Sequence, residues 1–171
     1  GAPGAPPLLF AHANGFCASA YRQMFEALGD RFDIFGVDLR GFGATRLPTD
    51  PARHRSLEAF AADLRALLPM LAARFQLSGP WTLCGHSLGG SSVTLAAAGR
   101  EDVAALRLVE PVAFPRAMSF LARTPVWPYF ADRMPLVRGA RSRRAAWPDR
   151  ASVRASYARK ALFSTWAEGV L

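Results

Sequence analysis

The stretch Trp81-Thr82-Leu83-Cys84-Gly85-His86-Ser87-Leu88-Gly89-Gly90-Ser91-Ser92 decides the fold. Trp81 to Gly85 is a short apolar run and reads as a buried strand. Ser87 to Gly99 reads as a helix rich in small residues, with Gly89, Gly90, Ser91 and Ser92 at its start. Between them lies Gly85-His86-Ser87-Leu88-Gly89, a serine flanked by glycines on a tight strand-to-helix turn. The glycines let two backbones cross closely with no Cβ in the way. Such a turn lifts the Ser87 hydroxyl above the C-terminal edge of a sheet. The helix behind it aims its N-terminal dipole and free N–H groups at the same point. The Leu88 N–H is then placed to stabilise an oxyanion. The plainer alternative is a Gly-rich turn with an incidental serine.

Outward from this turn, strand and helix signals alternate. Leu8 to Ala11 reads as a strand, broken by His12-Ala13-Asn14-Gly15. Ala18 to Leu28 has helical spacing, with Tyr21, Met24, Phe25 and Leu28 on one stripe and Gly29 as its stop. Phe32 to Asp38 is a second strand, followed by the Gly-rich turn Arg40-Gly41-Phe42-Gly43; Pro48 to Arg55 is loop. Ser56 is the expected N-cap of a long helix through Phe75, with Leu57, Phe60, Leu64, Leu67, Leu68 and Leu71 on its buried face. Pro69 should kink or restart it. Leu106 to Glu110 is a fourth strand, stopped by Pro111. This alternation predicts an α/β fold, a mostly parallel sheet with helices on both faces. From Pro115 the pattern changes to short helical pieces separated by Pro115, Pro125, Pro128, Pro135 and Pro148. The expected organisation is a core over 1–113 and a helical segment over 114–171.

The chain has 171 residues, 51% of them hydrophobic, which suffices for one core and excludes a disordered chain. No apolar run approaches the roughly 20 residues of a membrane-spanning helix, and no membrane partner is expected. Cys17 and Cys84 are too few for a disulfide framework, and no CxxC pair points to zinc. A reduced, cytoplasmic compartment is the expectation. The opening Gly1 to Pro7 has a linker composition with no visible signal peptide. The formal net charge is +8. Residues 1–115 are balanced, with ten arginines against ten carboxylates; residues 116–171 hold the whole excess. Arg138, Arg141, Arg143 and Arg144 form a basic cluster that reads first as a solvated face. No nucleic-acid-binding motif accompanies it, so no nucleic-acid partner is expected. Arginine over lysine, with abundant alanine, fits a GC-rich bacterial genome.

With these segments in order, the chain resembles the α/β-hydrolase fold superfamily, in the serine-hydrolase branch with a helical lid. His12-Ala13-Asn14-Gly15-Phe16 resembles that family's oxyanion loop, with Ala13 for the usual Gly. Asp38-Leu39-Arg40-Gly41-Phe42-Gly43-Ala44-Thr45 resembles its D-x-R-G-x-G-x-S turn, with Thr45 for Ser. Gly85 to Gly89 matches its G-x-S-x-G nucleophile elbow. The resemblance implies Ser87 as nucleophile, Leu88 and Asn14 as the oxyanion hole, and Phe16 and His86 in the substrate pocket. It implies a lid over 114–171, rich in aromatics such as Phe114, Trp127 and Trp147. A serine at the elbow argues against the epoxide-hydrolase and dehalogenase branches, which use Asp there. The implied partner is a small-molecule substrate with an apolar portion; no metal and no organic cofactor are needed.

The triad order in this fold is Ser, acid, His. His12, His54 and His86 all precede Ser87, and none follows. His86 reads as a packing or hydrogen-bonding residue, His12 as structural and His54 as solvated. Glu110, at the end of its strand, is the candidate acid; Asp38 reads as an organiser of the Gly-rich turn. The acid and histidine strands of the family are expected beyond Leu171, so the chain reads as a fragment. The competing readings are a non-catalytic ligand-binding protein of the same fold and an inactive truncated product.

Overall fold

Leu9 and Ala11 leave one face of β1 (Pro7–Ala11), Leu8 and Phe10 leave the other, and every residue of the strand is buried. A strand buried on both faces is the centre of a parallel sheet, which is why its sequence is apolar without alternation. The structure is a computed structural model that describes residues 4–50, 56–113, 115–144, 146–163 and 166. Two compact units divide it, Gly1–Val112 and Ala113–Leu171.

The first unit holds a four-stranded sheet. β1 pairs in parallel with β2 (Asp33–Val37) and with β3 (Trp81–His86), and β3 pairs in parallel with β4 (Val103–Val109). The strand order is β2-β1-β3-β4. On one face Leu9, Ala11, Trp81 and Leu83 pack with Ala61, Leu64 and Leu68 of α2 (Glu58–Phe75) and Val93 and Ala96 of α3 (Leu88–Ala97). On the other face the Phe10 ring lies 4.6 Å from that of Tyr21 and 5.3 Å from that of Phe25 in α1 (Arg22–Leu28). Helices therefore cover both faces, and the incomplete α/β core expected from sequence is what is observed.

Four local expectations need correction. The helix expected over 18–28 opens with a 3-10 turn, Ala18–Tyr21, before α1 begins. Its first N–H, on Ala18, is held by Asp38 Oδ1 at 2.7 Å, so the entry is anchored from outside the helix. Ser56 is not the cap of α2: Leu57 holds that position without a side-chain cap bond, and Glu58 supplies a first-turn carboxylate that suits the helix dipole. α2 does not restart at Pro69, whose ring is exposed where an unpaired carbonyl can be solvated. β4 starts at Val103 rather than Leu106, with a register irregularity opposite Trp81 and Thr82, and stops at Val109, leaving Glu110 outside it.

The second unit contains α4 (Arg116–Leu121), α5 (Trp127–Ala131), α6 (Pro135–Arg141), α7 (Arg150–Ala158) and a 3-10 turn, Ala161–Phe163. Prolines open α5 and α6, where a missing N–H is harmless. Asp149 caps α7 by accepting the Ser152 N–H at 2.6 Å, a bond that holds its carboxyl below the usual range. Within the helix expected over 161–166, Ala161–Phe163 is that 3-10 turn. His54, Phe114, and residues 164, 165 and 167–171 lie outside the described residues. Cys17 and Cys84 are free thiols. Among the described residues no helix is long and apolar enough to cross a membrane, and no His/Cys/Asp/Glu group could hold a metal ion.

Leu64 is 1% exposed at the meeting of α2 with the sheet. Leu64→Ala should lower the free energy of unfolding by about 2–5 kcal/mol, measured as the shift of a urea transition.

Candidate active site

Ser87 joins β3 to α3 at φ +52° and ψ −113°, a conformation L-residues avoid. Such a backbone costs about 1–3 kcal/mol and persists only where its surroundings impose it. The Ser87 N–H donates to the Val109 carbonyl at 2.9 Å. The Ser87 carbonyl accepts from the Ser91 N–H at 3.1 Å and the Val112 N–H at 3.4 Å. Close approach does the rest. A Cβ on Gly89 would lie 2.1 Å from the Ala11 carbonyl oxygen, and one on Gly85 would lie 2.4 Å from the Gly89 carbonyl carbon. Leu88 is the first residue of α3, so its N–H has no carbonyl within the helix to bond.

The register Ala11↔Gly85 and His86↔Val109 brings three strand ends to one sheet edge. His12 to Phe16 follow β1, Ser87 and Leu88 follow β3, and Glu110 follows β4. Asn14 is half-buried in a turn closed by the Phe16 N–H on the Ala13 carbonyl at 3.1 Å. Phe16 packs its ring edge-on to Tyr21, with centroids 6.3 Å apart. Glu110 is exposed and takes φ +44°. Among the described residues no hydrogen bond to the Ser87 hydroxyl is present, and no histidine reaches it.

His12 and Asp38, expected from sequence to be structural, are tied in as follows. His12 is fully buried. Its Nδ1–H donates to the Ala13 carbonyl at 2.8 Å, and its Nε2 accepts the Leu39 N–H at 3.0 Å. That pattern needs the neutral ring. Burial lowers the His12 pKa, against the opposing pull of the Ala13 carbonyl and of Asp38. Asp38 accepts the Ala18 N–H at 2.7 Å and the Ala44 N–H at 2.8 Å, so it gathers the helix entry and the Gly-rich turn. Arg40 beside it forms a two-pronged pair with Asp63, at 2.8 and 2.5 Å.

Tyr21 reaches the same edge. In sequence it is one member of an apolar helical stripe. In the structure its hydroxyl accepts the Ala13 N–H at 3.1 Å and lies 2.8 Å from His86 Nδ1. No local signal marks this, because the partner is 65 residues away.

Two outcomes follow. The unfolded chain binds a proton on His12 near its ordinary pKa of 6.5, while the folded chain resists until a lower pH. Stability should therefore be full above that value and fall as pH drops through and below it. Urea midpoints from pH 8 to 5 check this, and a wild-type slope shared by His12→Asn would overturn it. Gly89→Ala should lose several kcal/mol or fail to fold, since the clash is with backbone; thermal melts read it.

The alpha/beta hydrolase family matches residues 8–170. Over 110 residues the chain is 30% identical to protein phosphatase methylesterase 1 of Yarrowia lipolytica, spanning 53% of this chain and 26% of that protein. Among solved structures it is similar to a thermophilic esterase from Thermogutta terrifontis, with a TM-score of 0.55 and 27% identity, covering 76% of this chain and 49% of that one. It is also similar to epoxide hydrolase A from Mycobacterium thermoresistibile, with a TM-score of 0.56 and 26% identity, covering 71% of this chain and 38% of that one. The chain thus spans about a quarter of the curated relative and less than half of each solved one. With the sheet order, the elbow and a match over nearly its whole length, the chain belongs to the alpha/beta hydrolase family.

Proposed function

We propose that the chain carries the nucleophile part of a serine hydrolase acting on an ester or related acyl bond. Ser87 Oγ attacks the acyl carbon, and the oxyanion is received by the Leu88 N–H and an N–H of the Asn14 loop. The observation that carries the reading is the backbone of Ser87, strained to φ +52° directly before the first N–H of α3, which has no partner within the helix. A strained serine between two glycines that admit no Cβ is expensive as a mere turn. Two relatives with ester-hydrolase names, the methylesterase and the esterase, support an ester as the bond cleaved. Serine rather than aspartate at the elbow argues against epoxide opening.

Phe16 and His86 are the proposed pocket residues, and the substrate is a small molecule with an apolar portion. Glu110 is the proposed acid, at the sheet edge that holds Ser87. Residues 114–171 are the proposed lid segment. Acyl transfer through serine needs neither metal nor organic cofactor.

One observation favours a second reading. No histidine follows Ser87 among the 171 residues, and a serine hydroxyl without a base is a poor nucleophile at neutral pH. On that reading the chain binds a ligand without turning it over. A fluorophosphonate probe separates the two. The hydrolase reading expects covalent label on the peptide bearing Ser87 and background label in Ser87→Ala. Saturable binding of a short-chain ester with no label on Ser87 would establish the binding reading instead.

A further inference from the structure

We propose that Tyr21 is a positioning residue that holds the two halves of the oxyanion hole in register, through one hydroxyl shared between the Ala13 N–H and His86 Nδ1. The proposal rests on the serine-hydrolase reading of Ser87 and adds to it a residue outside the motifs.

The two proposed oxyanion donors stand on separate loops. Asn14 follows β1 and Leu88 follows β3, and the ladder between these strands ends at the pair Ala11↔Gly85. Past that pair the backbone anchors pull outward. His12 Nε2 ties the first loop to Leu39, after β2. The Ser87 N–H ties the elbow to Val109, in β4. In the order β2-β1-β3-β4 these neighbours lie on opposite sides. The Tyr21 hydroxyl works the other way and joins the loops to each other, at 3.1 Å on one side and 2.8 Å on the other. Its two partners sit next to the chemistry: Ala13 directly precedes Asn14, and His86 directly precedes Ser87.

The hydroxyl is itself well fixed. The Tyr21 ring packs on Phe10 with centroids 4.6 Å apart and stacks on Phe25 at 6.5 Å. A tyrosine places its oxygen with only two rotatable bonds, so little freedom is lost per hydrogen bond made. Burial raises the Tyr21 pKa, against the Ala13 N–H that lowers it, so the phenol keeps its proton at neutral pH.

The phenol oxygen accepts from the Ala13 N–H and lies within hydrogen-bond distance of His86 Nδ1. Either the phenol hydrogen or a hydrogen on Nδ1 closes this second bond, and both join the two loops. The His86 ring stands edge-on to Tyr21, with an interplanar angle of 85°. Tyr21→Phe would keep the ring on Phe10 and Phe25 and remove both bonds at once.

The test uses the 171-residue chain and a fluorophosphonate probe, with the inactivation rate measured against probe concentration. Tyr21→Phe is expected to lower the maximal inactivation rate about tenfold with the half-saturating probe concentration unchanged. In parallel, the nitrogen chemical shift of His86 Nδ1 should move between wild type and Tyr21→Phe, as loss of a hydrogen bond at that atom requires. An unchanged Nδ1 shift in a folded Tyr21→Phe overturns the proposal. An unchanged maximal rate in a folded Tyr21→Phe overturns the positioning role and leaves the nucleophile reading standing. A wild-type chain that takes no label at all overturns that reading, and the proposal falls with it.

Discussion

Where α3 crosses the ends of β1 and β3 there is no room for a side chain. The space above the Ala11 carbonyl is filled by the backbone of Gly89, and the space beside Gly89 by the backbone of Gly85. This crossing sets what lies above it. It forces the chain to turn within one residue, so the residue between strand and helix takes a positive φ although it is a serine. It also brings the first free N–H of α3 to the edge where the loop after β1 emerges. The crossing depends in turn on the register Ala11↔Gly85, and that register depends on β1 being buried on both faces. A slip of one residue would exchange the Leu9/Ala11 face for the Leu8/Phe10 face. Those faces meet different partners: aliphatic side chains of α2 and α3 on one, aromatic rings of Tyr21 and Phe25 on the other.

The loops at this edge are held by polar groups as well as by packing. His12 spends both ring nitrogens on backbone, one on Ala13 and one on Leu39. Asp38 spends both carboxylate oxygens on the N–H groups of Ala18 and Ala44. Bonds to a charged acceptor are worth more than neutral ones, and a buried donor left unpaired would cost its desolvation. The Gly-rich turn and the loop after β1 therefore hold their shape through side chains bonded to backbone. His12 meets this demand only as a neutral ring, which is why its burial and its hydrogen bonds agree on the same protonation state.

Much of this was legible in sequence because the signals are local. A strand, a glycine, a serine, a glycine and a small-residue helix occupy twelve consecutive positions, and each step of the elbow is dictated by a neighbour. The same holds for the helical unit, whose prolines mark the starts of α5 and α6. What local signals do not carry is where a helix starts and what a side chain meets at a distance. Ser56 precedes an apolar stripe as a cap would, yet α2 begins at Glu58 with no side-chain cap. The entry to α1 is a 3-10 turn whose first N–H is taken by a carboxylate 20 residues away. Tyr21 fitted the packing stripe so well that its hydroxyl went unread. A stripe at helical spacing records which ring faces the core and says nothing of what the ring's oxygen meets.

The elbow and the base that would activate it are separable in physical terms. Everything that imposes the strained conformation on Ser87 is inside the first unit: Gly85, Gly89, the Val109 carbonyl and the N–H groups of Ser91 and Val112. None of these is a histidine or an acid of a triad. The strain of about 1–3 kcal/mol is therefore met by backbone geometry alone, and the first N–H of α3 is placed by the same geometry. A base adds nothing to that arrangement. It raises the reactivity of a hydroxyl already in position. On the proposed reading, the sheet edge thus presents nucleophile and anion site whether or not a histidine reaches it, and catalysis and ligand capture differ there by one proton acceptor.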